Sequence, residues 1–344
     1  MDIFGVWFFV LAFAYCNFSC SNLCEAQDHF NVMDYGATSD GHTDDSKAFL
    51  KAWAAACSSS AQYPKVIVPP AKTLLVNPII FSGPCHAQNI NFVILGTIMA
   101  PKSPSSWDLR DPSRWLVFKD VNGLNVFGFG TIDGRGRAWW DQSCKYHPQL
   151  GKCTKLAPTA MKFLSCNGST VNNLKLINSA QTHISLKGCN KFHINNVVIQ
   201  SPGNSPNTDG IHIHSSHNVV ITNGKIGCGD DCISIGDYIS NIRIANIECG
   251  PGHGIRATCP IFNFILVLEK TGVQISNVVY KEIYGTSSTN IAINLNCSRY
   301  VPCVGISMES IELTSAKIGK KVTANCSNAH GQETDVVPGS CLLH

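Results

Sequence analysis

The chain has 344 residues, of which 44% are apolar and 14% are charged, and its formal net charge is +3. This apolar content can fill a sizeable core. The small positive charge excludes the strongly basic stripe of a nucleic-acid-binding protein and is compatible with an acidic polymer as partner. No charge run, proline- and serine-rich linker or low-complexity tract divides the chain, so we expect a single domain.

The N-terminus begins with an apolar run at residues 3–15, which small and polar residues follow up to Ala26. The run is too short to span a bilayer comfortably and is typical of a secretory signal, although Asp2 stands where a lysine or arginine is expected. We therefore predict a leader at residues 1–26 and a secreted domain at residues 27–344. A retained membrane anchor is the alternative interpretation.

The chain contains 17 cysteines, three of which fall in the predicted leader. An even number then remains, and so many cysteines behind a secretory signal indicate disulfides formed in an oxidising compartment. Zinc ligation is the alternative, but Cys228 and Cys232 have no second close pair of ligands at the spacing of a zinc finger. Five spacings suit local disulfides: Cys57 with Cys85, Cys144 with Cys153, Cys232 with Cys249, Cys297 with Cys303, and Cys326 with Cys341.

A helix is predicted at residues 44–56, after a turn that is rich in glycine and aspartate. Asp44 or Thr43 can cap its N-terminus. The helix carries an apolar stripe on one face, so we expect it to cap the end of a larger structure. The stripe consists of Ala48, Phe49, Ala52, Trp53 and Ala56.

After this helix the sequence changes to short runs in which apolar and polar residues alternate. Asparagines mark many runs at a similar place, with steps of 23, 27 and 23 residues from Asn173 through Asn196 and Asn223 to Asn246. Such steps are too short for strand–helix–strand units. We therefore predict an all-β fold, a right-handed parallel β-helix (solenoid) in which each coil adds a strand to several sheets. A β-sandwich or a propeller is the alternative.

Three polar residues share one position within this repeat. Asp209, Asp231 and His253 each stand two residues ahead of an isoleucine, and they are separated by two equal steps of 22 residues. Equivalent positions on neighbouring parallel strands lie about 4.8 Å apart. We therefore expect these side chains to share one patch with Asp230. Because unpaired carboxylates are too costly to bury in the bore, each strand must begin after its aspartate.

Carboxylates held this close raise one another's proton affinity, so one can stay protonated while the others are ionised. A protonated acid and a carboxylate that activates water are what glycoside hydrolysis requires. The alternative is a calcium site, since Asp209, Asp230, Asp231 and Asn207 all offer oxygen ligands, although a histidine is a poor calcium ligand. A further group, His212, His214 and His217, is interpreted as exposed outward strand positions rather than as metal ligands.

The blocks NTDGIHI, GDDCISI and CGPGHGI resemble three of the four signature blocks of the polygalacturonases, the pectin-degrading glycoside hydrolases of family 28. The flanking stretches VMDYGATSDGHTDDSKAFLKAW and GTIDGRGRAWW are similar to the plant members, and the resemblance covers nearly all of the mature chain. It implies a right-handed β-helix and a secreted cell-wall enzyme that works as a monomer. It also implies hydrolysis of the α-1,4 bonds of polygalacturonate (pectin) with inversion, without a cofactor or metal.

The resemblance also implies a role for each residue of the blocks. Asp230 resembles the general acid, while Asp209 and Asp231 resemble the pair that activates water. Asn207 helps to orient the site and binds substrate, and His253 supports the site by hydrogen bonding. These five are the candidate site residues.

The fourth block is where the sequence departs from the family. The family has an Arg-Ile-Lys strand whose cations bind the substrate carboxylate, and no Arg-Ile-Lys occurs in this chain. Arg256 follows the third block as a possible substitute cation, but on another coil, and an unusually apolar run occupies residues 261–268. We infer that about two or three coils are absent and expect weak activity. Two alternatives remain: a pectin-binding homologue without turnover, and a truncated splice or gene-model product.

Overall fold

Short parallel strands make up most of the computed structural model, which describes residues 28–107, 111–147, 149, 157–258, 275–298, 300–339 and 341–343. The predicted leader and the apolar run at 261–268 lie outside the described residues. Sequence runs in which apolar and polar residues alternate form strands because alternate side chains point to opposite faces of a sheet.

The first strands in chain order are β1 (His29–Asn31), β2 (Asp40–Asp44), β3 (Lys65–Val68), β4 (Thr73–Leu75), β5 (Ile79–Ser82), β6 (Ile90–Ile94), β7 (Thr97–Met99), β8 (Arg114–Lys119), β9 (Leu124–Phe127), β10 (Thr131–Asp133), β11 (Thr159–Leu164), β12 (Thr170–Asn172) and β13 (Lys175–Ile177). The remaining strands are β14 (Ile184–Lys187), β15 (Asn190–Asn195), β16 (Val198–Gln200), β17 (Ile211–His214), β18 (His217–Gly227), β19 (Ile233–Ile235), β20 (Ile239–Cys249), β21 (Ile255–Thr258), β22 (Ile275–Ser287), β23 (Ile291–Asn296), β24 (Cys303–Ser315), β25 (Thr323–Ser327) and β26 (Ala329–Val337). The helices are α1 (Ser46–Ser58) and α2 (Arg137–Trp140), with 3₁₀ turns at Val32–Tyr35 and Pro104–Ser106.

These strands stack as the coils of a parallel β-helix, as predicted. One sheet contains nine parallel strands in the order β5, β8, β11, β14, β17, β19, β21, β23 and β25. The longer strands of the later coils correspond to two shorter strands in earlier coils, since β15 and β16 both pair in parallel with β18. The bore is filled by side chains from successive coils, including the buried aromatic rings of Phe81, Phe118, Phe163 and Phe192.

The asparagines that mark the repeat form a ladder along the outside of the solenoid. Asn196 donates its side-chain amide to Asn173 at 2.7 Å, and Asn246 donates to Asn223 at 3.0 Å. Asn223 itself donates to Asn195 at 2.7 Å. Four members of the ladder, Asn173, Asn196, Asn223 and Asn246, have φ between 51° and 59°. Asparagine tolerates this left-handed conformation better than most residues. The repeated asparagines therefore mark a sharp bend, which separates two short strands in the earlier coils and lies within β18 and β20 in the later coils.

Helix α1 lies close to where it was predicted and packs its apolar face against the first strands. Trp53 contacts the rings of Phe81 and Phe118, with centroid distances of 5.3 and 5.9 Å. The predicted cap was wrong by one residue, because the N-cap is Asp45 and its side chain makes no capping bond. Its carboxylate instead accepts hydrogen bonds from the backbone N–H groups of Thr38 and Ser39. No helix among the described residues is long and apolar enough to cross a membrane.

Four of the five disulfides predicted from spacing are present. They join Cys57 to Cys85, Cys232 to Cys249, Cys297 to Cys303, and Cys326 to Cys341. The fifth predicted pair includes Cys153, which lies outside the described residues. Three other cysteines, Cys166, Cys189 and Cys228, are buried as free thiols.

Among the described residues, Tyr280 is a tyrosine that lies in the bore at a position where aliphatic side chains are usual. Tyr280 lies opposite Ile244 on the preceding coil and Met308 on the following coil, and it is 2% exposed. Its hydroxyl group has no hydrogen-bond partner among the described residues. Burial also raises the pKa of this hydroxyl well above its usual value. A buried polar group without a partner costs about 1–3 kcal/mol.

We expect Tyr280→Phe to increase the free energy of unfolding by about 1–3 kcal/mol, because it removes the unpaired hydroxyl and keeps the ring. Chemical denaturation followed by circular dichroism measures the change. Tyr284→Phe is the matched control, since Tyr284 lies on the same strand with 47% of its surface exposed. An unchanged or lower stability for Tyr280→Phe would show that the hydroxyl group is satisfied in solution.

Candidate active site

The aspartates of the repeat lie at bends immediately before two neighbouring strands. β17 begins at Ile211 and β19 at Ile233, in each case two residues after the aspartate. Ile211 pairs with Ile233, and Ile233 pairs with Ile255, so the predicted register is present. Gly229 allows the bend before Asp231 to approach the coil below, since a Cβ atom there would lie 1.9 Å from the carbonyl oxygen of Ser205.

Asp230 is surrounded by positively charged or hydrogen-bonding side chains. Its Oδ1 atom lies 3.0 Å from Nδ1 of His253 and 3.7 Å from Nη2 of Arg256, and its Oδ2 atom lies 3.9 Å from Nζ of Lys145. Burial alone would raise the pKa of Asp230. The hydrogen bond from His253 and the charges of His253, Lys145 and Arg256 outweigh burial and hold the pKa below its ordinary value.

Asp231 is bound by the guanidinium group of Arg256. Both Nε and Nη2 of Arg256 lie 2.6 Å from the same oxygen, Oδ2 of Asp231. The carboxyl group is 2% exposed, and burial raises its pKa more than the adjacent Arg256 lowers it. Arg256 lies on the coil directly after Asp231, because β21 pairs with β19, and its side chain reaches back to the aspartates.

Asp209 is held from two sides. Its Oδ2 atom accepts a hydrogen bond of 2.6 Å from Ser234, whose hydroxyl oxygen accepts a hydrogen bond of 2.8 Å from Nδ1 of His212. On the other side, the backbone carbonyl of Asp209 accepts hydrogen bonds of 2.9 Å from both the backbone N–H and Nδ1 of His183. Burial lowers the pKa of His183 and of His212 to about 4, so both imidazoles are neutral at neutral pH.

The three carboxyl groups differ sharply in proton affinity. Burial and the charge of Asp231 raise the pKa of Asp209 to about 7, in spite of the hydrogen bond from Ser234. The pKa of Asp231 is also raised, and that of Asp230 is lowered. At a pH above the pKa of Asp230 and below that of Asp209, the cluster holds a proton on Asp209 beside the ionised carboxylate of Asp230. This is the combination that general acid–base catalysis needs at mildly acid pH.

The donor set fits a divalent cation poorly. Oxygen or nitrogen atoms of Asp230, Asp231 and His253 lie within 4.8 Å of one another, which is close enough to hold a small ion. The guanidinium of Arg256 already occupies that space at 2.6 Å from Asp231. A calcium ion would have to displace this cation and accept a histidine ligand, which calcium disfavours.

The structure therefore brings four of the five predicted site residues together, namely Asp209, Asp230, Asp231 and His253. Asn207 instead has an exposed side chain at a bend with φ of 55°. It makes no hydrogen bond to an acidic side chain in the described part of the chain. Sequence reasoning missed Ser234 and Lys145.

Of the two residues that were missed, Ser234 could have been found from the sequence and Lys145 could not. Ser234 could have been recognised from its position between Ile233 and Ile235, on the same side of the strand as the cleft. Lys145 lies in a loop with no repeat, and nothing in the sequence indicates its contact. His212 and His214 were interpreted as exposed, but both are partly buried, and only His217 is exposed. His212 is shielded because it packs beside Ser234 on the next coil.

Comparisons with known proteins identify the family and the fold. A family model described as glycosyl hydrolases family 28 matches residues 57–257 and 267–341. Polygalacturonase QRT2 of Arabidopsis thaliana is 37% identical over 361 residues, covering 87% of this chain and 81% of that protein. A polygalacturonase of Malus domestica is 36% identical over 374 residues, covering 90% of this chain and 78% of that protein.

Solved structures share the fold at lower sequence identity. The endo-xylogalacturonan hydrolase of Aspergillus tubingensis superposes with a TM-score of 0.66 at 16% identity, covering 90% of this chain and 86% of that chain. Endopolygalacturonase I of Stereum purpureum, solved with two galacturonates, gives a TM-score of 0.53 at 22% identity, covering 78% of this chain and 79% of that chain.

Proposed function

The chain belongs to glycosyl hydrolases family 28 and is a polygalacturonase-type glycoside hydrolase, and we propose that it hydrolyses the α-1,4 bonds of polygalacturonate with inversion of configuration. The observation that carries this proposal is the acidic cluster of Asp209, Asp230 and Asp231 with His253. Within this cluster the pKa values of Asp209 and Asp231 are raised and that of Asp230 is lowered. An inverting hydrolase needs such a division between an acid and a water-activating base.

Each residue has a defined task in this mechanism. Asp230 donates a proton to the oxygen of the glycosidic bond as that bond breaks. Asp209 and Asp231 take a proton from the attacking water, whose oxygen bonds to the anomeric carbon from the opposite face. His253 holds Asp230 through the hydrogen bond to Oδ1. Asn207, exposed at the rim, is positioned to contact substrate rather than the acids.

In the free protein the proton resides on Asp209 rather than on Asp230, because Asp230 has the lowered pKa. A bound uronate adds a negative charge, which raises the pKa of every carboxyl group of the cluster and helps to retain the proton there. Catalysis requires that this proton move from Asp209 to Asp230 before the glycosidic bond breaks. The pH dependence of the pair is the same whichever carboxyl group holds the proton.

We further propose that activity is weak, because the Arg-Ile-Lys strand is missing. The family match is interrupted at residues 258–266, and the alignment with the Arabidopsis relative spans 361 positions, more than the 344 residues of this chain. Losing a charge-assisted contact to a bound uronate costs about 1.5–3 kcal/mol. A catalytic rate equal to that of a relative with the complete strand would show that the missing segment does not matter.

The proposal also covers where the enzyme acts, how many domains it has and its oligomeric state. We propose that residues 1–26 direct secretion to the cell wall and that residues 27–344 act there as one domain and as a monomer on pectin. Four disulfides among the described residues support passage through an oxidising compartment. Sizing of the protein recovered from culture medium, together with its N-terminal sequence, tests these statements.

Release of reducing ends from polygalacturonate tests the activity, and proton NMR of the first products tests the stereochemistry. We expect reducing ends to accumulate at mildly acid pH and the new anomeric carbon to appear first in the β configuration. A neutral galactan under the same conditions is the control and should not be cleaved. Binding without any release of reducing ends would contradict hydrolysis, and initial α products would contradict inversion.

A further inference from the structure

A single row of outward side chains runs along the nine-stranded sheet past the acidic cluster. Each member pairs with the next at the same register position on the neighbouring coil. We call this set the cleft row. It consists of Lys162 on β11, Ser185 on β14, His212 on β17, Ser234 on β19, Arg256 on β21 and Asn294 on β23.

The cleft row carries two cations, and their surroundings differ. Arg256 is bound to Asp231 at 2.6 Å. Lys162 is partly buried, and burial lowers the pKa of its ammonium group. Its Nζ atom donates a hydrogen bond of 3.1 Å to Ser113, and no carboxylate of the described residues lies within 4.0 Å of it.

The charges around Lys162 compensate its positive charge only in part. The nearest acidic influence is Asp111, which is already paired with Arg114 and accepts hydrogen bonds from Ser113. Arg114 and Lys187 add positive charge that disfavours the ammonium form of Lys162. A partly desolvated cation that shares its counter-ion with a second cation is stabilised when an anionic ligand binds to it.

We propose that Lys162 binds the carboxylate of a uronate unit, as a subsite remote from the bond that is cleaved. The inference rests on the proposed function, because it assumes that the polymer lies along the cleft row. β11 is separated from β17 by two strand spacings and from β19 by three, or roughly 10–14 Å. Lys162 therefore contacts a uronate unit other than the one being hydrolysed. It binds the polymer on the opposite side of the acidic cluster from the missing Arg-Ile-Lys strand.

The test measures binding rather than turnover. Asp230→Asn protein, with and without Lys162→Met, is titrated by calorimetry with an octagalacturonate and with the fully methyl-esterified octamer. Lys162→Met should weaken binding of the acidic octamer about tenfold or more, as expected for loss of one charge-assisted contact. Binding of the neutral ester should not change between the two proteins. Lys162→Arg, which keeps the charge, should retain most of the affinity.

Lys225→Met is the matched control, because Lys225 lies on another sheet and is paired with Glu248 at 2.8 Å. It should leave both affinities unchanged. The proposal is overturned if Lys162→Met leaves the acidic octamer unaffected, or if it weakens the ester equally. It is also overturned if folded Asp230→Asn protein binds neither octamer. A wild-type protein that binds through Lys162 but releases no reducing ends would reject the hydrolase proposal and leave this one standing.

Discussion

Asp230→Asn lowers the rate of polygalacturonate hydrolysis by about 100-fold to 10,000-fold, the range expected when a general acid is removed. Asparagine has nearly the shape of aspartate and still accepts the hydrogen bond from His253, which is 3.0 Å long in the native site. It cannot deliver a proton to the leaving oxygen. The variant therefore loses chemistry without losing the architecture of the cleft.

Initial rates of reducing-end release from the two proteins at one pH measure this effect. Asp335→Asn is the control, since Asp335 is exposed on β26 at a left-handed position that asparagine also tolerates. Its rate should equal the native rate. If Asp230→Asn kept more than about a tenth of the native rate, Asp230 would not be the general acid.

Arg256→Gln moves the alkaline side of the pH–rate profile upward by about 1 pH unit. This is the lower end of the range for loss of an opposite charge near a carboxyl group, because other groups affect the pKa of Asp209 more strongly. In the native protein the cluster loses its catalytic proton as pH rises through the pKa of Asp209, about 7. The charge of Arg256 lowers the pKa of both Asp209 and Asp231. Without that charge the proton is retained to higher pH. The acid limb of the profile is set by the pKa of Asp230, which the charge of Arg256 helps to lower. Without Arg256 this limb also moves to higher pH.

The profile of kcat/KM against pH, each curve scaled to its own maximum, separates this effect from any change in the rate itself. Lys225→Gln removes a cation from the opposite sheet and should leave both limbs in place. An unmoved alkaline limb in Arg256→Gln would mean that the guanidinium does not control the protonation of the cluster in solution.

The repeat could be predicted from the sequence because it is a local property of the chain. Equal steps between Asp209, Asp231 and His253 fix which residues face one another once the strands are parallel, and the structure has that register. The spacing of the asparagines predicted the repeat for a related reason, since a left-handed bend favours asparagine over most other residues. Disulfide pairs followed from short separations for the same reason.

The electrostatics of the site could not be predicted in this way. Arg256 was considered only as a substitute for the missing cations. Its contact with Asp231, made by a long side chain that reaches back across about one strand spacing, was not predicted. Lys145 approaches Asp230 from a loop outside the repeat, at 3.9 Å. The order of the pKa values depends on these contacts and on burial, and neither is encoded in residue spacing.

The register of the nine-stranded sheet makes the solenoid modular. A coil forms backbone hydrogen bonds only with the coils before and after it, so whole coils can be gained or lost while the flanking ones pair again. β21 pairs directly with β23, with Ile255 opposite Ile293, while the acidic side chains lie on the coils before this pair. The number of coils, and with it the length of the sheet beside the acids, can thus change without moving the acidic cluster.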